Sequence, residues 1–206
     1  MKITDSLIIH VMIIFVMLLS HELYAQKASF PIGPVLNLKA GYHFADNKTE
    51  GYANTGDYTI PGGIIFELSG ELPTGKGWYP GFSFEYSTGN DAVRDIYLEG
   101  LITRNIYITN YQVTLKKRFY MDRSAFYLQT GLGKGTVRSE YDRSLGERED
   151  GVISFSFKTG FEYTIGYRTF VSLECSYLGM GQVKFEGTGR GNSLFMLKAG
   201  LGYVFK

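Results

Sequence analysis

Ten charged side chains stand at alternate positions among large apolar residues, in segments spread along the whole chain. The carboxylates are Glu67, Glu71, Glu85, Glu162 and Glu174, and the cations are Lys39, Lys116, Arg118, Lys158 and Lys198. Carboxylates that lie close together can serve as a general acid and a general base. Five cations in equivalent positions favour mutual neutralisation instead, because a buried charge without a partner is costly. We therefore predict a structural ionic cluster and no catalytic residues.

A serine hydrolase site, the second chemistry to consider, would depend on His43. The other two histidines lie within residues 1–25, a segment with the features of a signal peptide. Nucleophilic catalysis by serine needs a histidine within hydrogen-bond reach of the serine and oriented by a carboxylate. His43 shares its phase with Lys39 and Gly41, and no His-x-Ser spacing surrounds it. We interpret His43 as a structural or solvent-exposed residue.

The composition argues against metal, redox and nucleotide chemistry. One cysteine and three histidines in 206 residues are too few for a disulfide framework or a Cys/His zinc site. The run Gly131-x-Gly133-x-Gly135 lacks the Lys-Ser/Thr of a phosphate-binding loop. With 21 basic and 20 acidic side chains, the chain is not basic enough to suggest a nucleic-acid partner. We predict no cofactor, no metal and no nucleic acid.

The elements that carry these residues have a hydrophobic period of two, which is the spacing of β-strands with one apolar and one polar face. Eight segments show it, at residues 36–44, 63–72, 80–87, 111–119, 126–133, 154–165, 171–177 and 195–205. No segment after residue 33 has helical spacing. The sequence predicts an all-β domain of eight strands.

The links between these segments alternate in length. Short links fall at residues 73–79, 121–124 and 166–168, and long polar links fall at 46–58, 88–105, 137–151 and 179–192. Short turns on one side and long loops on the other, with an even strand number, are typical of a transmembrane up-and-down barrel. The second long link has room to extend the third and fourth strands well above the membrane.

Side-chain volume and the cost of placing charges in lipid indicate which face of the strands points outward. Large aromatic residues occupy most apolar positions, and their volume exceeds the lumen of an eight-stranded barrel, which only just holds its side chains. With the charged face outward in a membrane, each Lys or Arg near the midplane would cost roughly 2–4 kcal/mol. Glycines on the polar faces leave room for long charged stems inside. We predict apolar residues facing lipid, with Lys117 and Lys134 as exceptions near strand ends.

The N-terminal residues differ from the rest. Residues 7–19 form an apolar core of thirteen, shorter than the roughly 18–20 needed for a membrane-spanning helix, and Ala25 provides a small residue for cleavage. We predict a signal peptide at 1–25 and one barrel domain at 26–206.

The last strand contains a recognisable pattern, in which Lys198 is followed by Gly200 and then by Tyr203 and Phe205 at alternate positions. This pattern resembles the signal by which outer-membrane barrels are recognised for assembly. The chain as a whole resembles the small eight-stranded outer-membrane β-barrel proteins of Gram-negative envelopes, the OmpA-barrel and OmpX-like group. The resemblance implies an integral outer-membrane location, insertion by the barrel assembly machinery, and contact with outer-membrane lipids and lipopolysaccharide. It also implies exterior loops and periplasmic turns.

Members of such a group share a fold more than an activity. Our hypothesis is a non-catalytic barrel with a plugged, salt-paired interior, whose extracellular loops serve envelope structure or surface interaction. Three alternatives stay open: narrow porin-like transport of a small solute, a lipid A-modifying hydrolase that uses His43, and a soluble lipocalin-like carrier. The sequence identifies no surface ligand.

Overall fold

The computed structural model describes residues 30–44, 60–95, 100–141, 147–182 and 191–205. They form eight strands: β1 Val35–Phe44, β2 Gly63–Glu71, β3 Trp78–Asp95, β4 Gly100–Met121, β5 Ser124–Tyr141, β6 Glu147–Thr164, β7 Thr169–Gln182 and β8 Gly191–Val204. Each strand pairs antiparallel with the next, and β1 pairs with β8, which closes the barrel. The predicted eight-stranded all-β architecture is confirmed, whereas the predicted signal peptide at 1–25 lies outside the described residues.

No helix among the described residues is long and apolar enough to cross a membrane.

Three tight connections define one end of the barrel, which we call the short-turn rim. They link β2 to β3, β4 to β5 and β6 to β7. The first uses left-handed backbone at Gly75, Lys76 and Gly77, with φ of 101°, 50° and 78°. Glycine adopts this region without steric cost, which permits the tight reversal. The described chain also enters and leaves at this rim, where the Phe30 amide donates to the Asp122 carbonyl at 2.8 Å.

The opposite end, the long-strand rim, differs from the sequence prediction. The expected long loops at 88–105, 137–151 and 179–192 are wrong in extent, because most residues of the first two, and residues 179–182 and 191–192 of the third, continue the strands. β3 runs to Asp95 and β4 begins at Gly100, with these two residues paired, as expected for a second link that extends the third and fourth strands. Beyond the membrane, hydrogen bonds between the two strands of a hairpin still satisfy the backbone donors and acceptors. Segments with polar side chains therefore continue as paired strands there. The first predicted loop, 46–58, lies outside the described residues.

The described strands have unequal lengths, and four of them extend past the described residues of the other four. Gly63, the first residue of β2, pairs with Gly89 of β3, so residues 90–95 extend past the last described partner on β2. On the other side, the pairing of β6 with β7 begins at Ser154, which leaves 147–153 beyond it. We call these upper parts of β3–β6 the protruding sheet (residues 90–95, 100–109, 135–141 and 147–153).

The middle of the barrel has its apolar face outside, as predicted. Phe157 and Leu201 are 49% and 55% exposed, whereas the neighbouring Lys158 and Glu162 are fully buried inside. On β4 the outward apolar positions run from Tyr111 to Phe119, about nine residues, which is the length of a tilted transmembrane strand. The barrel therefore has a lipid-facing belt around a charged interior.

In the protruding sheet the two faces exchange character. Ile106 and Ile108 of β4 and Val137 of β5 point inward and are buried, while Arg138 points outward and is exposed. Water surrounds the barrel above the belt, so apolar side chains are buried inside, as in a soluble barrel. The alternation with a period of two continues through this boundary, but the apolar positions change from the outer face to the inner face.

Candidate functional site

The barrel interior is the site that the sequence analysis singled out. All ten predicted charged residues lie inside, each no more than 2% exposed: Lys39, Glu67, Glu71, Glu85, Lys116, Arg118, Lys158, Glu162, Glu174 and Lys198. They come from every strand except β5. The period-two geometry of the strands points them all toward the barrel axis. The structure divides them into two groups.

The first group, the mid-barrel cluster, contains three lysines and three glutamates: Lys39, Lys158, Lys198, Glu67, Glu85 and Glu174. The Lys158 ammonium lies 3.0 Å from Glu67 and 2.7 Å from Glu85. Lys198 lies 2.8 Å from both Glu85 and Glu174 and also contacts Glu67. Lys39 lies 3.2 Å from Glu67 and contacts Glu174. Opposite charges match in number, so the cluster is formally neutral.

The second group, the lower cluster, lies nearer the short-turn rim and contains Lys116, Arg118, Glu71 and Glu162. Arg118 holds Glu162 with two hydrogen bonds, at 2.6 Å from Nε and 3.0 Å from Nη2. Its Nη2 also lies 2.6 Å from Glu71. Lys116 lies 3.3 Å from Glu162 and contacts Glu71. A two-pronged guanidinium–carboxylate contact is among the stronger charge-assisted hydrogen bonds, and this cluster is also formally neutral.

Tyr127 of β5 connects the two clusters, a role that the sequence analysis did not assign to it. Its hydroxyl donates to Glu174 at 2.6 Å, and the Lys116 ammonium lies 4.3 Å from its ring centroid. The ring packs over Gly160, where a Cβ atom would lie 2.5 Å from the tyrosine Cζ. The alternation of β5 predicts that Tyr127 points inward. Its partners cannot be read from the sequence, because they come from strands that meet only when the barrel closes.

Polar side chains continue the network above the mid-barrel cluster. The Asn110 amide donates to Glu85 at 2.9 Å, and the Ser154 hydroxyl donates to the Asn110 carbonyl oxygen at 2.6 Å. The Ser156 hydroxyl donates to Gln112 at 2.6 Å. These bonds join β3, β4 and β6 across the lumen, so the filling of the barrel is cross-linked as well as neutral.

Two apolar layers, which the sequence analysis did not predict, close the interior at its ends. The lower layer consists of Phe30, Val35, Tyr79, Ala125, Phe170 and Val204. The Phe30 ring lies 5.4 Å from that of Phe170, and the Arg118 guanidinium lies 4.2 Å from the Tyr79 ring centroid. The upper layer consists of Ile60, Ile65, Ile106, Ile108, Val137, Val152, Leu178, Met180, Leu194 and Met196. The charged clusters thus lie between two apolar layers.

His43 lies inside the barrel, 1% exposed, opposite Met196 in the β1–β8 pairing. No serine hydroxyl or carboxylate among the described residues is within hydrogen-bond distance of its ring nitrogens. The described parts of the chain also contain no group of three or more His, Cys, Asp and Glu residues arranged to hold a metal ion.

The four residues of the predicted assembly signal lie on both faces of the end of the chain. Lys198 belongs to the mid-barrel cluster, and Gly200 faces the interior beside Lys39. Tyr203 and Phe205 face outward at the short-turn rim, with their rings 5.0 Å apart in an edge-on contact. Their recognition by the assembly machinery stays a prediction.

Fold and interior together define the class of this protein. It has the fold of the small eight-stranded outer-membrane β-barrels, with the lipid-facing apolar belt and charged interior of a membrane-inserted barrel. No protein-family model matches the chain, and no curated protein is similar to it in sequence.

Solved structures provide the particular comparisons. Neisserial surface protein A is 15% identical, with 84% of this chain and 98% of that chain covered and a TM-score of 0.58. OprG of Pseudomonas aeruginosa is 14% identical, with coverages of 85% and 98% and a TM-score of 0.53. Ail of Yersinia pestis, solved with the heparin analogue sucrose octasulfate, is 16% identical, with coverages of 84% and 100% and a TM-score of 0.51. At these identities the likeness establishes the fold.

Proposed function

We propose that the protein is a closed, non-catalytic outer-membrane barrel that holds its protruding sheet at the outer surface for interaction with other molecules. The observation that carries this proposal is the filled interior. Among the described residues, a neutral, cross-linked network lies between two apolar layers, and an eight-stranded barrel is only wide enough to hold its own side chains.

The protruding sheet supports the second half of the proposal. Its outer strands, β3 and β6, extend past their described partners on β2 and β7. Where a strand has no neighbour among the described residues, its backbone donors and acceptors can pair with an extended segment of another chain. In a barrel of this class the long connections face the exterior. The sheet is therefore the part of the molecule best placed to meet a surface partner.

Conductance tests the closed lumen. Purified barrel inserted in a planar bilayer should show no single-channel steps, because ion passage would require breaking buried ion pairs. The Glu174→Gln and Lys198→Met variants, each of which unbalances the mid-barrel cluster, provide the sensitive comparison. Reproducible steps in the wild type whose size changes in these variants would support the transport alternative instead.

Surface presentation is tested by labelling. In a Cys175→Ser background, a cysteine introduced at exposed Thr103 should react with a membrane-impermeant maleimide on intact cells. A cysteine at Asp122, in an exposed turn of the short-turn rim, is the matched control and should react only after the outer membrane is permeabilised. The reverse pattern would refute the proposed orientation. Recovery of the protein in buffer without detergent would support the soluble carrier.

The hydrolase alternative has its own test. Incubation of purified barrel with lipid A should release no fatty acid, since His43 faces the lumen without a serine or carboxylate partner among the described residues. Fatty-acid release by the wild type that disappears in His43→Ala would overturn the non-catalytic assignment.

A further inference from the structure

A groove on the outer surface of the barrel lies where the β2–β3 turn meets β4, at the short-turn rim. It has a volume of about 560 Å³, and its lining includes Lys76, Trp78 and Leu115. Lys117 pairs directly with Trp78 across β3 and β4. Its ammonium lies 5.0 Å from the Trp78 ring centroid and donates to the Lys76 carbonyl. The groove therefore has a cation fixed at its edge.

The charge of this groove contrasts with that of the interior. Inside the barrel each lysine contacts carboxylates, whereas the lining of the groove contains no carboxylate. The Lys117 ammonium has a carbonyl and two aromatic rings as partners, and one of its three donors is used by the carbonyl. Lys76 is exposed in the adjacent turn. Two cations thus face outward at one end of the lipid-facing belt.

Apolar side chains continue from the cations toward the middle of the membrane. Pro80 pairs with Leu115 at the groove, and Phe82 pairs with Val113 one step further along the strands. Phe82 is 57% exposed and Val113 is 73% exposed. A double row of apolar residues leading away from paired cations matches the shape and polarity of a lipid, which joins acyl chains to a charged headgroup.

We propose that this groove binds a phospholipid with an anionic headgroup, from the leaflet that surrounds the short-turn rim. The lipid phosphate is held by Lys117 and Lys76, Trp78 lies at headgroup level, and an acyl chain lies against Leu115 and Val113. Lysines at this depth place their ammonium groups among the headgroups. A zwitterionic lipid carries its own cation next to the phosphate, so two lysines without a carboxylate favour a lipid with net negative charge.

The sequence contains a single tryptophan, and it lies in this groove. Fluorescence of Trp78 therefore reports on the lipid bound there. The barrel is reconstituted in phosphatidylcholine vesicles with increasing brominated phosphatidylglycerol, and in matched vesicles with brominated phosphatidylcholine. Bromine quenches only at short range, so the two curves give the relative affinity of the groove for the two lipids. The measurement is independent of any surface partner of the protruding sheet.

Two lysine variants and one control complete the test. The wild type should prefer phosphatidylglycerol by at least about fivefold, and Lys117→Gln should lower that preference by about fivefold, the effect of one lysine near an anionic headgroup. Lys76→Gln should also lower it. Lys134→Gln removes the other predicted lipid-facing lysine, near the long-strand rim, and should leave the preference unchanged.

Equal quenching by the two lipids in the wild type would overturn the proposal without recourse to any variant. An equal loss of preference in Lys134→Gln and Lys117→Gln would also overturn it, because the effect would then reflect net charge and not this groove. Gel migration of unboiled samples verifies that each variant is folded, since intact barrels migrate anomalously until heated.

Discussion

Removal of one charge from the mid-barrel cluster should destabilise the barrel far more than removal of the whole pair. Glu174 lies 2.8 Å from Lys198 and also contacts Lys39. Glu174→Gln keeps the shape of the side chain and an acceptor for the Tyr127 hydroxyl, but leaves three lysines against two glutamates. Lys198→Met leaves the opposite imbalance.

The size of the expected loss in stability follows from the burial of these side chains. All of these side chains are at most 2% exposed, so an unbalanced charge receives no help from water. Breaking a buried pair by removing one partner costs about 3–5 kcal/mol, whereas replacing both partners by neutral groups is often close to neutral. We expect each single variant to lose about 3–5 kcal/mol and the double variant to stay within about 2 kcal/mol of the wild type. The two changes are then strongly non-additive.

The assay is equilibrium unfolding by guanidinium of barrel reconstituted in vesicles, followed by Trp78 fluorescence and by gel migration of unboiled samples. Glu140→Gln is the matched control. It removes the carboxylate that contacts Arg138 in the protruding sheet, where the two side chains are 36% and 44% exposed. Exposed pairs contribute about 0–1 kcal/mol, so this variant should unfold with the wild type.

The reasoning is refuted if the double variant loses as much stability as the sum of the two single variants. Additivity would mean that Glu174 and Lys198 are stabilised by separate contacts, and that neutrality of the cluster does not matter. Single variants no less stable than Glu140→Gln would refute it as well, since water would then be reaching the interior.

Three further predictions concern packing and assembly. Gly160→Ala should lose about 1–3 kcal/mol in the same unfolding assay, because the added methyl group overlaps Tyr127; stability equal to the wild type would contradict the close packing of that ring. Phe30→Ala should lose about 3–5 kcal/mol by opening a cavity in the lower apolar layer, and increased binding of a hydrophobic dye should accompany the loss. Phe205→Ala should lower the amount of assembled barrel in membranes several-fold, whereas Leu132→Ala, another lipid-facing change far from the last strand's end, should not; equal yields would contradict the assembly signal.

Much of the fold follows from the sequence because strand identity is a local property. Alternation of apolar and polar residues needs only neighbouring positions, and it predicts eight strands with Phe157 and Leu201 outward and Lys158 inward. The volume of the aromatic residues and the cost of charges in lipid then predict which face meets the membrane. The same alternation predicts which charged residues point inward, namely five cations and five carboxylates.

The pairing inside the barrel does not follow from the sequence. Lys39 of β1 contacts Glu174 of β7, two strands that lie far apart in the chain. They approach only because β1 pairs with β8 and closes the sheet. The division into two neutral clusters, and the place of Tyr127 between them, depend on the stagger of all eight strands, which no local pattern encodes.

The loop predictions were wrong at the long-strand rim because the expected pattern was that of a strand in lipid. Above the belt the solvent outside changes from acyl chains to water, and the apolar residues Ile106, Ile108 and Val137 move to the inner phase. The alternation in the sequence continues through these residues, although the expectation of lipid-facing strands left Val137 in a predicted loop and Ile106 and Ile108 outside the predicted fourth strand. Only the tertiary structure decided where the membrane boundary falls. Whether the apolar residues face outward or inward depends on whether lipid or water surrounds the barrel at that height.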